Sequence, residues 1–179
     1  MQSRNQSLLL TALVGFCGCS TTLFSQSEPY VVQLRTDSPL GTVKDTVGNN
    51  LGFGLSLGYV VINNLGPSTH GDGVLRLDYD QFSGRAGSSV KSFAAAFQVD
   101  LYPFKNSNFF FVFAPMIQSH RVSTSAQGSA TYSSFGGQGG IGLSFENNYL
   151  HSIEISFEKM DRVELQEFSK VRLDFCFRF

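Results

Sequence analysis

Apolar side chains recur at every second position through the ending of the chain, KVRLDFCFRF. One parity is apolar to the last residue: Val171, Leu173, Phe175, Phe177 and Phe179. The other parity is polar and mostly charged: Lys170, Arg172, Asp174, Cys176 and Arg178. A period of two matches the pleat of a β-strand and does not match the 3.6-residue period of a helix. The ending therefore predicts a strand with one apolar face and one charged face.

Similar alternation recurs along the chain, between short stretches rich in Gly, Asn, Ser, Pro and Asp, which favour turns. Eight strands are predicted, at residues 30–37, 51–62, 73–82, 89–102, 108–121, 131–145, 150–160 and 167–179. Beyond the N-terminal segment, no stretch has an apolar helical period over a helical length. The short links favour an all-β fold, an eight-stranded antiparallel up-and-down barrel.

The first 25 residues have the pattern of a secretory signal peptide. Arg4 supplies a positive charge, an apolar core follows at residues 8–16, and small residues come next. We expect cleavage after Ser25. Cleavage at Ser20 and lipidation of Cys19 are the alternatives that the sequence leaves open.

Cleavage after Ser25 divides the chain into a signal peptide at 1–25 and a barrel domain at 26–179. Of the three cysteines only Cys176 then remains, so no disulfide within the mature chain is expected. The formal net charge of −1 supplies no strong field to attract nucleic acid, and no nucleic-acid partner is expected. No later apolar run approaches the roughly 18 residues of a spanning helix, so any crossing of a membrane would use strands.

The composition of the two faces distinguishes a membrane barrel from a soluble one. The stretch VLRLDYD alternates Leu75, Leu77 and Tyr79 with Arg76, Asp78 and Asp80. Other strands alternate large apolar residues with Gly, Ser, Gln and charged residues. Gly weakens an exposed strand but saves space inside a narrow barrel. We therefore expect the apolar face to meet lipid and the polar face to line the lumen.

The charged side chains of the polar face are predicted to pair across the lumen, since an isolated charge there would be costly. This predicted network contains Arg76, Asp78, Asp80, Asp100, Glu154, Glu158, Arg172 and Arg178. We expect Glu154 and Arg172 to lie at similar depth on adjacent strands. An eight-stranded barrel is about filled by its own side chains, so the network is interpreted as a structural plug. The alternative is an ion or proton path. The facing of strand 108–121, apolar on both sides, is left open.

The ending resembles the C-terminal β-signal of bacterial outer-membrane proteins, a terminal Phe preceded by apolar residues at alternate positions. The matching residues are Val171, Leu173, Phe175, Phe177 and Phe179. With the signal peptide and eight alternating runs, the chain resembles the small eight-stranded outer-membrane barrel superfamily of Gram-negative bacteria. The resemblance implies a place in the outer membrane, contact with its lipid, recognition by the barrel-assembly machinery, and a monomer.

The same resemblance implies a topology with both termini in the periplasm. Turns near 63–72, 103–107 and 146–148 would then face the periplasm. Loops near 38–50, 83–88, 122–130 and 161–165 would face outward, and these loops are short.

No catalytic, cofactor-binding or metal-binding residues are predicted. The three histidines are His70, in an expected turn, His120, expected to form lumen hydrogen bonds, and His151. His151 directly precedes Ser152, so on a strand the two point to opposite faces and cannot act as base and nucleophile. Asp78 and Asp80 share a face and would bind a cation in an alternative reading, although ion pairing is favoured.

Three functions remain open from the sequence. The first is an outer-membrane barrel with a structural or surface-interaction role. The second is a lipid-modifying enzyme in the same barrel. The third is a soluble secreted barrel that binds an apolar ligand, which requires Leu75, Leu77, Ile153 and Ile155 to point inward.

Overall fold

The computed structural model describes residues 29–66, 70–84, 87–104, 107–126, 128–145, 150–163 and 166–179. The predicted signal peptide, its cleavage site and Cys19 lie outside these residues. Eight antiparallel strands form a closed barrel in chain order, as predicted. They are β1 (Tyr30–Leu40), β2 (Gly52–Asn63), β3 (His70–Ser83), β4 (Ser89–Tyr102), β5 (Phe109–Thr124), β6 (Gly128–Ser144), β7 (Leu150–Met160) and β8 (Phe168–Arg178).

A short helix, α1 (Gly41–Val47), follows β1 where the sequence predicted only a loop. Its two buried residues, Val43 and Val47, are spaced i and i+4 and pack together with Phe82 and Phe168 at one end of the barrel. Seven residues are too few to display a helical period in the sequence. The helix ends at Gly48, whose φ of 75° suits glycine and whose N–H donates to Lys44 O at 2.7 Å.

Strand pairing gives the barrel its tilt. We start at Leu40 of β1 and step to the paired residue on each neighbouring strand in turn, from β8 to β2. The path returns to β1 at Tyr30. The displacement from residue 40 to residue 30 is a shear of ten residues, and strands of such barrels tilt by about 40°. Tyr30 and Phe179 exchange backbone hydrogen bonds of 3.0 and 3.2 Å, so both ends of the barrel domain meet at the end opposite α1.

The outer face is mainly apolar. Phe53 is 70% exposed, and Leu77 and Ile155 are each more than half exposed. The soluble-barrel reading needs Leu75, Leu77 and Ile155 to point inward, and their side chains point outward. Among the residues that the structure describes, no helix is long and apolar enough to cross a membrane.

The inner face of β5 is apolar from Phe110 to Met116 and polar at Gln118 and His120, which resolves the facing that the sequence left open. Phe110, Val112, Ala114 and Met116 are buried, while the odd-numbered residues between them are more exposed. Together with residues of α1, β3, β4, β7 and β8, Ala114 and Met116 form an apolar cluster at the α1 end of the lumen. The sequence predicted a polar lumen, but the interior also contains this apolar cluster and a smaller one formed by Val31, Val60 and Val74.

Some strands extend past their predicted ends. The sequence predicted a loop at 122–130, whereas β5 and β6 remain paired to Thr124 and Gly128. The Ser, Thr and Ala residues of this segment favoured a loop in the sequence. The strands nevertheless stay paired, because each residue of β5 up to Thr124 has a partner on β6. His70, predicted in a turn, is the first residue of β3 and pairs with Tyr102.

Candidate functional site

The charged cluster of the lumen is built around Arg35, on β1. Its guanidinium lies 3.0 Å from Asp174, 3.2 Å from Asp78 and 3.3 Å from Asp80. All four side chains are at most 1% exposed. The sequence analysis did not assign Arg35 to the network. The available signal was the shared parity of Gln33, Arg35 and Asp37, opposite to that of the exposed Leu34.

Arg172, on β8, forms a second centre and is 1% exposed. Its guanidinium lies 2.5 Å from Glu158 and 3.4 Å from Asp78, with Asp37 at 3.7 Å and Asp174 at 3.9 Å. The expected neighbour, Glu154, is on the adjacent strand but two residues away in register, because Arg172 stands opposite Ser156.

Lys170 links the two centres at the α1 side of the cluster. Its Nζ forms an ion pair with Asp80 across the lumen on β3 and lies 3.3 Å from Glu158 on β7. Lys170 was placed on the polar parity of the last strand, but its role in joining these carboxylates was not predicted.

Arg76 extends the cluster toward the opposite wall. It lies 2.9 Å from Asp78, donates to Gln98, and donates at 2.6 Å to Gln138 on β6. Two strands, β4 and β5, lie between β3 and β6, so this contact crosses the lumen.

The remaining predicted members lie toward the chain termini. Gln98 donates to Asp100 at 2.7 Å and to Glu154 at 3.3 Å, and the thiol of Cys176 donates to Glu154 at 3.0 Å. Arg178 pairs with Asp72 at 2.8 Å and lies 4.0 Å from Asp100. All eight predicted network residues thus face the lumen, in one chain of contacts with residues that the prediction missed.

Carboxylates outnumber cations in the cluster. Among the described residues, four buried cations (Arg35, Arg76, Lys170 and Arg172) face seven buried carboxylates (Asp37, Asp78, Asp80, Asp100, Glu154, Glu158 and Asp174). Neutral donors supply part of the difference, because Ser56 donates to Asp78 at 2.7 Å and Ser152 donates to Glu154 at 3.2 Å. Such donors matter because a buried charge without partners is costly.

His120 is held between two hydroxyl groups near the apolar cluster. Its Nδ1 lies 2.9 Å from Ser92 Oγ and its Nε2 lies 3.1 Å from Ser134 Oγ. The imidazole stacks on Phe168 at 3.8 Å between ring centroids, and His120 is 2% exposed. This is the lumen hydrogen-bonding position that the sequence suggested.

Other candidate groups do not converge. Ser152 is buried and bonded to Glu154, whereas the neighbouring His151 is only partly buried. In the part of the chain that the structure describes, no three His, Cys, Asp or Glu side chains are arranged to hold a metal ion. Asp78 and Asp80 are occupied by Arg35, Arg76, Lys170 and Arg172.

The barrel is similar in fold to solved structures. The Neisserial surface protein A matches at a TM-score of 0.58 and 14% identity, covering 84% of this chain and 97% of that one. The Yersinia pestis outer membrane protein Ail, in a phospholipid bilayer nanodisc, matches at a TM-score of 0.51 and 13% identity, covering 86% of this chain and all of that one. The fold is that of the small outer-membrane barrels. No family model and no curated protein matches the chain.

Proposed function

We propose that this chain is an integral outer-membrane barrel with a structural role, closed to solutes by its own side chains. The observation that carries the proposal is the sidedness of the sheet. Apolar side chains such as Leu77, Phe93 and Ile155 are more than half exposed on the outside, while Arg35 and Arg172 are ion-paired inside. This arrangement suits lipid outside and is unfavourable in water.

The closed lumen is inferred from contacts that cross it. Lys170 of β8 reaches Asp80 of β3, and Arg76 of β3 reaches Gln138 of β6. These side chains fill the section of the barrel at mid-height, as expected for eight strands. The charge network therefore acts as a structural plug.

Bilayer recordings test the closed lumen. The purified full chain, reconstituted in a planar bilayer, should give no steady conductance under conditions in which a porin reference conducts. A stable ohmic current from the folded, heat-modifiable form would contradict the plug and favour the ion path.

Cell fractionation tests the membrane placement separately. The protein should be recovered with the outer membrane and should migrate differently on gels before and after boiling. Recovery in the soluble periplasm without heat-modifiable migration would overturn the proposal.

The C-terminal residues are proposed to serve as an assembly signal for the barrel-assembly machinery. Phe179 is 51% exposed on the outer face, and its backbone pairs with Tyr30. A Phe179→Ala variant keeps that backbone pairing, so it should fold in detergent as the wild type does but reach the membrane of cells at a reduced level. Phe53→Ala, which removes another exposed ring, is the matched control. Equal cellular levels of the two variants would contradict the signal role.

A lipid-modifying activity has less support in the geometry. The hydrogen-bonded group of Ser92, His120 and Ser134 is buried beside Phe168 and does not reach the outer surface where a lipid would lie. Mass spectrometry of lipid A from cells with and without the gene distinguishes the two functions. The structural proposal predicts identical spectra, and a modified lipid A that depends on the gene would overturn it.

A further inference from the structure

Two cations stand directly opposite each other on the outer face near the α1 end. Lys91 of β4 pairs in register with Arg121 of β5, and both side chains are exposed. Directly opposite residues on one face of a sheet have Cβ atoms about 5 Å apart. Like charges at that separation repel, so the pair destabilises the sheet unless an anion lies between the two side chains.

Nothing in the described chain supplies that anion. Of the ion pairs in the described residues, none involves Lys91 or Arg121, and Arg121 donates only a long hydrogen bond of 3.4 Å to Ser129. Their outer neighbours in the ladder, Gln81 beside Lys91 and Thr131 beside Arg121, are neutral. The described carboxylates of the strands face the lumen.

The pair stands where the apolar band ends. Phe93 is the next outward residue after Lys91, and it is 55% exposed. Toward the α1 end, the outward residues of β5 beyond Ile117 are Ser119, Arg121 and Ser123. This change from apolar to hydroxyl and cationic side chains is expected where hydrocarbon gives way to headgroups.

An apolar cleft lies on the outer face below the cations and extends across the strands from β2 to β6. Its volume is about 470 Å³, and its lining includes Leu77, Ala95, Phe97, Pro115, Ile117 and Phe135. Ala95 and Pro115 have the smallest of the outward side chains that line it. Ala95 lies four residues from Lys91, and Ile117 four residues from Arg121, which is about 13 Å along each strand.

The charge on the outer face is confined to this end. Among the described strands, the charged side chains exposed on the outside are Lys91, Arg121 and Lys159, and all are basic. They lie on β4, β5 and β7, at the end of the barrel that carries α1.

We propose that Lys91 and Arg121 bind the phosphate of a lipid headgroup whose acyl chain occupies the cleft over Ala95 and Pro115. Arg121 would engage two phosphate oxygens and Lys91 a third, as charge-assisted hydrogen bonds. A lipid is favoured over free phosphate because the apolar cleft lies on the same outer face, about 13 Å along the strands from the cation pair. The site rests on the proposed membrane placement of the barrel.

Lipid retention by the full-length barrel tests the site. Wild-type protein is transferred to phosphatidylcholine nanodiscs containing a minor fraction of diphosphorylated lipid A or, in a parallel set, of phosphatidylglycerol. Lipid that stays bound is then counted by native mass spectrometry. The double variant K91Q/R121Q should retain the phosphorylated lipid about tenfold less well, as expected for the loss of charge-assisted contacts.

Matched controls separate the site from general electrostatics. K44Q/R162Q removes two exposed cations at the same end but off the outward strand face, and should retain lipid as the wild type does. Ala95→Phe fills the cleft and should lower retention without changing charge, whereas Leu143→Phe, outside the cleft, should not. Each variant must show wild-type heat-modifiable migration, so that loss of binding is not loss of fold.

Three results would overturn the proposal: equal retention by K91Q/R121Q and wild type, an equal loss in K44Q/R162Q, or complete displacement of the lipid by millimolar inorganic phosphate. The last would mean that the pair binds free anions. The assay needs no particular orientation in cells, so its failure leaves the fractionation and conductance tests of the proposed function unaffected.

Discussion

Arg172 is the side chain on which most carboxylates of the lumen converge. Four carboxylates lie within 4 Å of its guanidinium, and Gln138 accepts a hydrogen bond from it at 3.2 Å. A cation in that position offsets the repulsion among its neighbours. The contribution of Arg172 to stability is therefore measured most directly by replacing it while the carboxylates are kept.

Replacing Arg172 by Leu should lower the free energy of unfolding by about 3–5 kcal/mol, because it leaves buried carboxylates uncompensated. The double variant R172L/E158L should regain part of this loss, since both partners are then apolar. Denaturant titration of the barrel refolded in lipid vesicles measures both changes.

Arg162→Gln is the control for that experiment. Arg162 forms an exposed pair with Glu167 at 3.1 Å outside the strands, where this hydrogen bond holds the pKa of Glu167 below its usual range. Losing an exposed pair should change stability far less than losing a buried one, because water screens the exposed charges. A loss in R172L no larger than in R162Q would contradict the account of the cluster.

Two adjacent glycines of β6 predict opposite responses to the same substitution. A Cβ at Gly140 would lie 2.5 Å from Ser156 Cβ and 2.7 Å from its Cα, and would also clash with the Ile155 carbonyl, whereas a Cβ at Gly139 would meet nothing within 4 Å. Gly140→Ala should therefore destabilise the barrel by about 1–3 kcal/mol through overpacking against the backbone of β7.

Gly139→Ala should be neutral within about 0.5 kcal/mol. Unfolding curves of the two variants, recorded side by side, check the pair. Equal stability of the two would mean that glycine is not required for the close approach of β6 and β7.

At this scale the sequence allowed part of the site to be predicted. The alternation of β3, β4, β7 and β8 placed the eight proposed network residues on the parity that faces the lumen. Arg35 was missed because Val31 on the inner parity and Thr36 on the outer parity weaken the alternation of β1. Glu154 and Arg172, expected at similar depth on adjacent strands, are on adjacent strands but two residues apart in register. The turn decides that register, and Glu158 is the carboxylate of β7 that Arg172 meets.

Among the elements, α1 is the one with a role that the sequence did not indicate. It covers the apolar cluster and is tied to neighbouring loops, since Thr42 N donates to Glu167 O at 3.0 Å and Ser88 Oγ donates to Thr46 O at 2.9 Å. Its stability comes from this packing, because seven residues do not hold a helix in water by themselves. Local sequence alone could not reveal it, as two valines become an apolar face only once Phe82 and Phe168 lie beneath them.

Val47→Asp should detach α1, because it places a carboxylate in an apolar cluster without a partner. Hydrogen exchange of the α1 amides should become faster by an order of magnitude or more, while the strands keep their protection. Lys44→Asp introduces the same residue on the exposed side of the helix and should leave exchange nearly unchanged. Equal protection of α1 in wild type and V47D would contradict its docked position.

The strand β5 illustrates a different limit of the sequence. With apolar residues on both parities, its pattern gives no facing, and only its register with β4 and β6 decides which side is inside. Phe110 and Met116 then contribute to the lumen, while Phe113 and Ile117 lie outside. The sequence thus predicted that β5 is a strand but not which of its faces lines the lumen.

For the whole molecule, the fold followed from the sequence because every local signal agreed. Eight alternating runs, short links and a charged parity all favour one closed barrel, and closure satisfies the backbone of each edge. The sequence did not predict which side chains contact each other across the lumen, because those contacts depend on how distant strands meet.

The central claim is that the apolar face meets lipid. Spin labels at Leu77→Cys and Ile155→Cys, in a Cys176→Ser background reconstituted in vesicles, test it directly, with Lys44→Cys as the water-exposed reference. The account predicts that labels at 77 and 155 are relaxed mainly by oxygen, as in hydrocarbon, and little by a water-soluble nickel reagent. Strong relaxation by the nickel reagent at both positions, equal to that at position 44, would contradict it.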